Sequence, residues 1–266
     1  MSGTTGPRRL VLLLVDGLRA DVCEEAMGYL VAAVEAGEAQ RMRHRCALPS
    51  LSRPLYATLL SGQVPLQHGV LSNDHAEVAL ASSVLDDLRE DGRRSVVTAY
   101  HWVRELLTGE AFDPWLHRDA ACPAQGVTGA RWYWQDPYPD DHLLADAESL
   151  RRQHDPDFML VHPMGLDHAG HVHGGESTGY RAAARRLDTW LTRALPRWHA
   201  AGFDVLLTSD HGMNADGWHG GDLPSEREVP LWWWPCRAAD AAVSLPTDPC
   251  GIRGFVRGWL AEELPA

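Results

Sequence analysis

Paired cysteines are what this chain most plainly lacks. Its five cysteines, Cys23, Cys46, Cys122, Cys236 and Cys250, are scattered, odd in number and never at CxxC spacing. That argues against a disulfide framework or a thiolate zinc knuckle and fits a reducing, cytoplasmic setting. Basic charge is also scarce: 24 Lys and Arg stand against 36 Asp and Glu, a formal net charge of -12. With no basic tract, the chain is not expected to grip a nucleic-acid polymer through its phosphates. Long apolar runs are missing too. Arg8 and Arg9 before the apolar residues 10–15 look superficially like a signal peptide, but the run breaks at Asp16. No stretch approaches the ~18 apolar residues of a membrane span. The expectation is a soluble cytoplasmic protein with no membrane partner, no internal repeat and no low-complexity tract.

A chain of 266 residues can bury a large core, and a single domain over 1–266 is favoured. Residues 10–15, 95–98, 158–161 and 205–208 are short apolar strand candidates, the first being apolar throughout, as suits a strand covered on both faces. Helical spacing marks 20–36, 78–90, 142–153 and about 177–198. This alternation predicts an α/β fold, a mainly parallel central sheet with helices on both faces. Residues 231–234 read as a late strand near an edge, with Trp232 to Trp234 either core or interface. The segment 108–141 breaks the alternation, being rich in Pro, Gly, Asp and aromatic residues without a clear period. It reads either as a lid or as an ordered insertion whose rings pack on the body.

Several of these apolar runs end in residues that bind cations. Asp16 follows the first, Asp167 and His171 follow the 158–161 run at a spacing of four, and Asp210 and His211 follow the 205–208 run. His219 comes in the glycine-rich turn after them. In an open parallel sheet, groups at the carboxyl ends of strands converge although the chain separates them. Carboxylates with imidazoles and no thiolate suit zinc in a catalytic site. Each residue also has a plainer reading: Asp16-Gly17 as a turn, Asp167 and His171 as a hydrogen-bonded loop pair. A nucleophile is supplied by Ser52, which precedes Arg53-Pro54 at the predicted start of a helix, where free N–H groups favour a phosphoryl group. Ser52 there is a nucleophile, an N-cap, or both.

These motifs resemble the alkaline phosphatase superfamily, specifically its type I phosphodiesterase and nucleotide pyrophosphatase branch. In the family's order the chain carries Asp16, Ser52, His68-Gly69, Asn73, the D-x-x-G-H of Asp167 to His171, the S-D-H-G-M of Ser209 to Met213, and His219-Gly220. The resemblance implies two zinc ions, with other divalent ions such as Mn2+ as substitutes. One would be held by Asp167, His171 and His219, the other by Asp16, Asp210, His211 and the Ser52 oxygen. It further implies that Ser52 forms a phosphoseryl intermediate, that Asn73 donates to a phosphoryl oxygen, and that the substrate is a small phosphate ester or nucleotide.

The chain departs from the family where members with diesterase activity often have Phe after the nucleophile and Asn after the next Pro; here these are Arg53 and Leu55. Arg53 either clamps a dianionic phosphate, which would favour a monoester or phosphonate, or points into solvent. Trp132 and Trp134 are candidates for stacking a nucleobase. Rival readings are a phosphomonoesterase or phosphonate hydrolase, a sulfatase, against which Tyr56 stands where its modification motif needs Arg, and a silent metal-binding module. The oligomeric state is open.

Overall fold

The residues from Leu10 to Leu14 are apolar at every position, so both faces of that strand need cover, and the fold supplies it. A computed structural model describes residues 7–76 and 78–262. Seven strands, β1 (Arg9–Leu14), β2 (Gln40–Arg45), β3 (Ser95–Tyr100), β4 (Val127–Tyr133), β5 (Phe158–Val161), β6 (Phe203–Thr208) and β7 (Glu228–Trp234), form one sheet in the order β2-β7-β6-β1-β5-β3-β4. β1, β3, β4, β5 and β6 pair in parallel, and β7 runs against both its neighbours. The fold is the expected mainly parallel α/β architecture, with β7 next to the edge strand β2.

Helices α1 (Ala20–Ala26), α2 (Gly28–Glu35), α3 (Ser52–Ser61), α4 (Pro65–His68), α5 (Val84–Glu90), α6 (His101–Thr108), α7 (Pro114–His117), α8 (Asp140–His154), α9 (Gly165–His173), α10 (Thr178–Ala200), α11 (Pro224–Arg227) and α12 (Gly251–Ala261) fill the connections. Successive side chains of a strand point to opposite faces. Val11 and Leu13 therefore pack with α1, α2, α8, α9 and α10. Leu10, Leu12 and Leu14 pack with α3, α5, α6 and α12 on the other side. Full burial of each such side chain contributes roughly 1.5–3 kcal/mol.

The structure departs from the sequence reading in four elements, one being the helix expected over 78–90, which begins only at Val84 after the Ser83 cap. The helix expected over 20–36 is two helices, because Met27 leaves helical geometry at φ -104° and ψ 71°. β2 escapes notice because QRMRHR offers a single aliphatic side chain, as an edge strand tolerates. The segment 108–141 contains β4, which pairs with β3 and puts Trp132 fully inside the core, its indole N–H donating to the Ala120 carbonyl at 2.8 Å. That corrects the assignment of Trp132 as a stacking platform for substrate: no ring face is left to offer. Trp134, just beyond the strand, stays 41% exposed, its ring 6.0 Å from that of Phe112.

Candidate active site

Parallel strands deliver the candidate residues to one edge of the sheet. β1 runs into Asp16, and Gly17 turns the chain there at φ +68°. A Cβ at Gly17 would lie 2.9 Å from the Asp167 backbone, so only glycine lets this turn press against α9 and bring Asp16 beside Asp167. α9 carries Asp167 and His171 one turn apart on a single face. β6 ends in Asp210 and His211, and His219 returns in the loop before β7.

These residues form two touching clusters. In one, the ligand atoms of Asp167, His171 and His219 lie within 4.8 Å of one another; in the other, so do those of Asp16, Asp210 and His211. The His211 and His219 rings stack across the boundary at 3.6 Å. All three imidazoles are oriented alike. His171 Nδ1–H donates to the Gly217 carbonyl at 2.8 Å, His211 Nδ1–H to the Gly212 carbonyl at 2.8 Å, and His219 Nδ1–H to the Ser50 carbonyl at 2.9 Å. Each ring therefore turns its Nε2 to the clusters, the nitrogen that ligates a cation once it gives up its proton.

The carboxylates are arranged to the same effect. Gly17 N–H and the Ser209 hydroxyl donate to Asp210 Oδ1, at 3.2 and 3.3 Å, while Asp210 Oδ2, Asp167 Oδ1 and Asp16 Oδ1 are buried without any hydrogen-bond partner. Burial, then the charge of Asp16, pushes both Asp167 and Asp210 above the usual carboxylate range. Burial also raises Asp16, but hydrogen bonds from His162 and Tyr56 and the charge of His211 outweigh it and hold its carboxyl low. His171 is lifted to about 9, chiefly by its contact with Asp167, and burial with the neighbouring His211 drops His219 to about 3. Three buried carboxylates with bare oxygens are costly unless a cation compensates them. The donor set fits a divalent cation at each cluster, and hard oxygens with imidazoles fit zinc or manganese.

Ser52 sits at the first turn of α3, 4% exposed, with its Oγ 2.9 Å from His211 Nε2. Leu51 occupies the N-cap position, so the Ser52 hydroxyl faces the second cluster instead of capping its helix. Asn73 accepts the Arg53 backbone N–H at Oδ1, 3.0 Å, which leaves its Nδ2 free to donate beside Ser52. Arg53 does not reach solvent: it is 2% exposed, pairs with Glu105 through Nη2 at 2.6 Å and lies 4.8 Å over the Trp102 ring, its Nε and Nη1 buried without a partner. Its expected role as a substrate clamp is corrected by that pairing, which neutralises the guanidinium within the fold. Two residues beside Asp16 were not foreseen as part of the site. His162 Nε2 lies 3.2 Å from Asp16 Oδ2, and the Tyr56 hydroxyl donates to the same oxygen. His162 was legible by the rule that found Asp16, being the polar residue that closes the apolar run of β5. The exposed Trp218, 67% accessible, stands edge-on to His171 with ring centres 6.0 Å apart.

Comparison with known proteins agrees with this geometry. The family model described as type I phosphodiesterase / nucleotide pyrophosphatase matches residues 10–216. Human GPI ethanolamine phosphate transferase 2, catalytic subunit, is 23% identical over 237 residues, 84% of this chain and 23% of that protein, so the chain spans about a quarter of that relative's length. Among solved structures, murine ectonucleotide pyrophosphatase / phosphodiesterase 5 superposes with a TM-score of 0.71 at 12% identity, over 97% of this chain and 96% of that one. Phosphonoacetate hydrolase from Sinorhizobium meliloti superposes with a TM-score of 0.57 at 17% identity, over 80% and 60%. The chain belongs to the type I phosphodiesterase / nucleotide pyrophosphatase family, within the alkaline phosphatase superfamily.

Proposed function

We propose that this chain is a hydrolase that cleaves phosphodiester or nucleotide pyrophosphate bonds by attack of Ser52 on phosphorus. The observation that carries the reading is the placement of Ser52 Oγ at the helix start, 2.9 Å from His211 Nε2 and facing the bare oxygens of Asp16 and Asp210. Two divalent cations, zinc or manganese, one on Asp167, His171 and His219 and one on Asp16, Asp210, His211 and the Ser52 oxygen, would when bound supply positive charge that favours ionised hydroxyl and water and offsets the phosphoryl charge. Ser52 Oγ forms a bond to phosphorus as the bond to the leaving oxygen breaks on the opposite side. Water then cleaves the Oγ–P bond of this phosphoseryl intermediate and restores the serine. Asn73 Nδ2 donates to a non-bridging oxygen, and the positive end of the α3 dipole adds partial charge beside Ser52.

The Arg53–Glu105 pair bears on the substrate. A free guanidinium beside Ser52 would suit a dianionic monoester; a neutralised one removes that preference and favours the singly charged diester. Trp218, exposed beside His171, offers an apolar face to the leaving group. A second reading, transfer of the phosphoryl group to an alcohol, is prompted by the transferase relatives. The test compares turnover of an aryl phosphate diester, an aryl phosphate monoester and a phosphonate on one metal-loaded preparation. Preference for the diester by 10-fold or more, about 1.4 kcal/mol of transition-state binding, is expected. Preference for the monoester or phosphonate contradicts the assignment.

A further inference from the structure

Four histidines approach the clusters, and one is wired in reverse. His171, His211 and His219 give their Nδ1–H to backbone carbonyls and turn Nε2 inward. His162 instead accepts the Tyr100 backbone N–H at Nδ1, 3.4 Å. Its ring hydrogen therefore sits on Nε2, which donates to Asp16 Oδ2 at 3.2 Å. This ring is a donor aimed at a carboxylate, not a fourth imidazole ligand.

Tyr56 completes the arrangement. Its hydroxyl donates to the same Oδ2, and its ring meets the edge of His162 at 4.6 Å and 77°. Both donors are fully buried, as is Asp16. The two oxygens of Asp16 are thus sharply divided: Oδ2 takes two hydrogen bonds, and Oδ1 has none and lies 3.4 Å from His211 Nε2. Left alone, a carboxylate on a short side chain turns freely about its last bond and can present either oxygen. Here the donors come from two different elements. His162 is fixed by its backbone N–H to the Thr98 carbonyl at 2.8 Å, in line with β3. Tyr56 lies one turn after Ser52 on the same face of α3.

We infer that His162 and Tyr56 are positioning residues that clamp Asp16 by Oδ2, so that Oδ1 alone faces the cluster of Asp210, His211 and Ser52, and that Tyr56 ties this orientation to the helix bearing the nucleophile. The inference rests on Asp16 as a cation ligand. Its consequence is selective. Loss of either donor loosens the Asp16 cluster and spares the cluster of Asp167, His171 and His219, since neither donor hydrogen-bonds to those residues.

Zinc titration of chelator-stripped protein against a competing chromophoric indicator separates the possibilities. The wild type is expected to hold two zinc ions per chain. Tyr56→Phe, which removes one oxygen from an otherwise unchanged ring, and His162→Phe should each weaken one of the two sites by about 10- to 100-fold and spare the other. His162→Gln keeps an N–H donor near the Nε2 position and should recover most of the lost affinity. Thermal unfolding of the stripped proteins checks that each variant folds; if His162→Phe does not, Tyr56→Phe and His162→Gln decide. Wild-type affinity at both sites in Tyr56→Phe and His162→Phe overturns the clamp, as does equal weakening of both sites. A wild type that binds no zinc overturns the cation reading and the clamp together.

Discussion

The direction in which each imidazole turns separates the candidate ligands from His162 in this site. Three rings with Nδ1–H tied to carbonyls turn Nε2 to the clusters, and His162 accepts at Nδ1 and donates from Nε2, although no sequence pattern distinguishes the four. The tryptophans divide in the same local way. Trp132 fills a core position, and Trp218 is held at the mouth by a loop whose Asn214 side chain accepts the Trp218 backbone N–H at 3.0 Å. Trp132→Ala is expected to cost about 3–5 kcal/mol of stability in denaturant melts and to leave KM unchanged in whatever protein folds. Trp218→Ala should barely move stability and should raise KM for an aryl diester. The reverse pattern would mean that the exposed ring is structural. Which of these rings was buried could not be read from the segment, because the small and polar side chains of VTGARWY hide the alternation of β4.

Helix α3 shows how an element carries the site. Its first turn presents Ser52 and, four residues on, Tyr56, while Arg53 between them is anchored to α6 through Glu105. Glu105 also accepts the Phe112 N–H at 3.0 Å and faces His101 at 3.2 Å. Burial alone would raise its carboxyl, but His101, Phe112 and Arg53 together hold it down at about 2. A depressed carboxyl contributes stability that is present above the unfolded value and lost as pH falls through the folded one. Glu105→Gln should therefore destabilise the protein by roughly 3 kcal/mol near neutrality, where it strands the buried Arg53 charge. The gap from wild type should close as pH drops from about 4.5 toward 2. A gap that stays constant over that range would place the effect in packing. The helix start at Ser52 was legible from Ser-Arg-Pro, the pairing of Arg53 with Glu105 was not, since only the docking of α6 against α3 brings residues 52 positions apart together.

At the scale of the molecule, topology does the gathering. β1, β5 and β6 are adjacent and parallel, so Asp16, His162 and Asp210 leave the same edge of the sheet although the chain spreads them over nearly two hundred residues. The apolar runs that form these three strands were plain in the sequence, and so were Asp16 and Asp210 as candidate ligands at two of their ends; His162, at the third, was not foreseen. β2 and β4 were not, because an edge strand and a strand broken by small residues have no apolar signature. The acidic chain, at -12 overall, places three carboxylates together where two divalent cations would leave a local surplus of positive charge before Ser52 ionises, a point to which a phosphate ester would be drawn. The central claim is that Ser52 is the nucleophile of this centre, and turnover by purified, metal-loaded Ser52→Ala tests it most directly. The account predicts that hydrolysis of an aryl phosphate diester is abolished while elemental analysis finds the metal content largely unchanged. Undiminished turnover in that variant would contradict it.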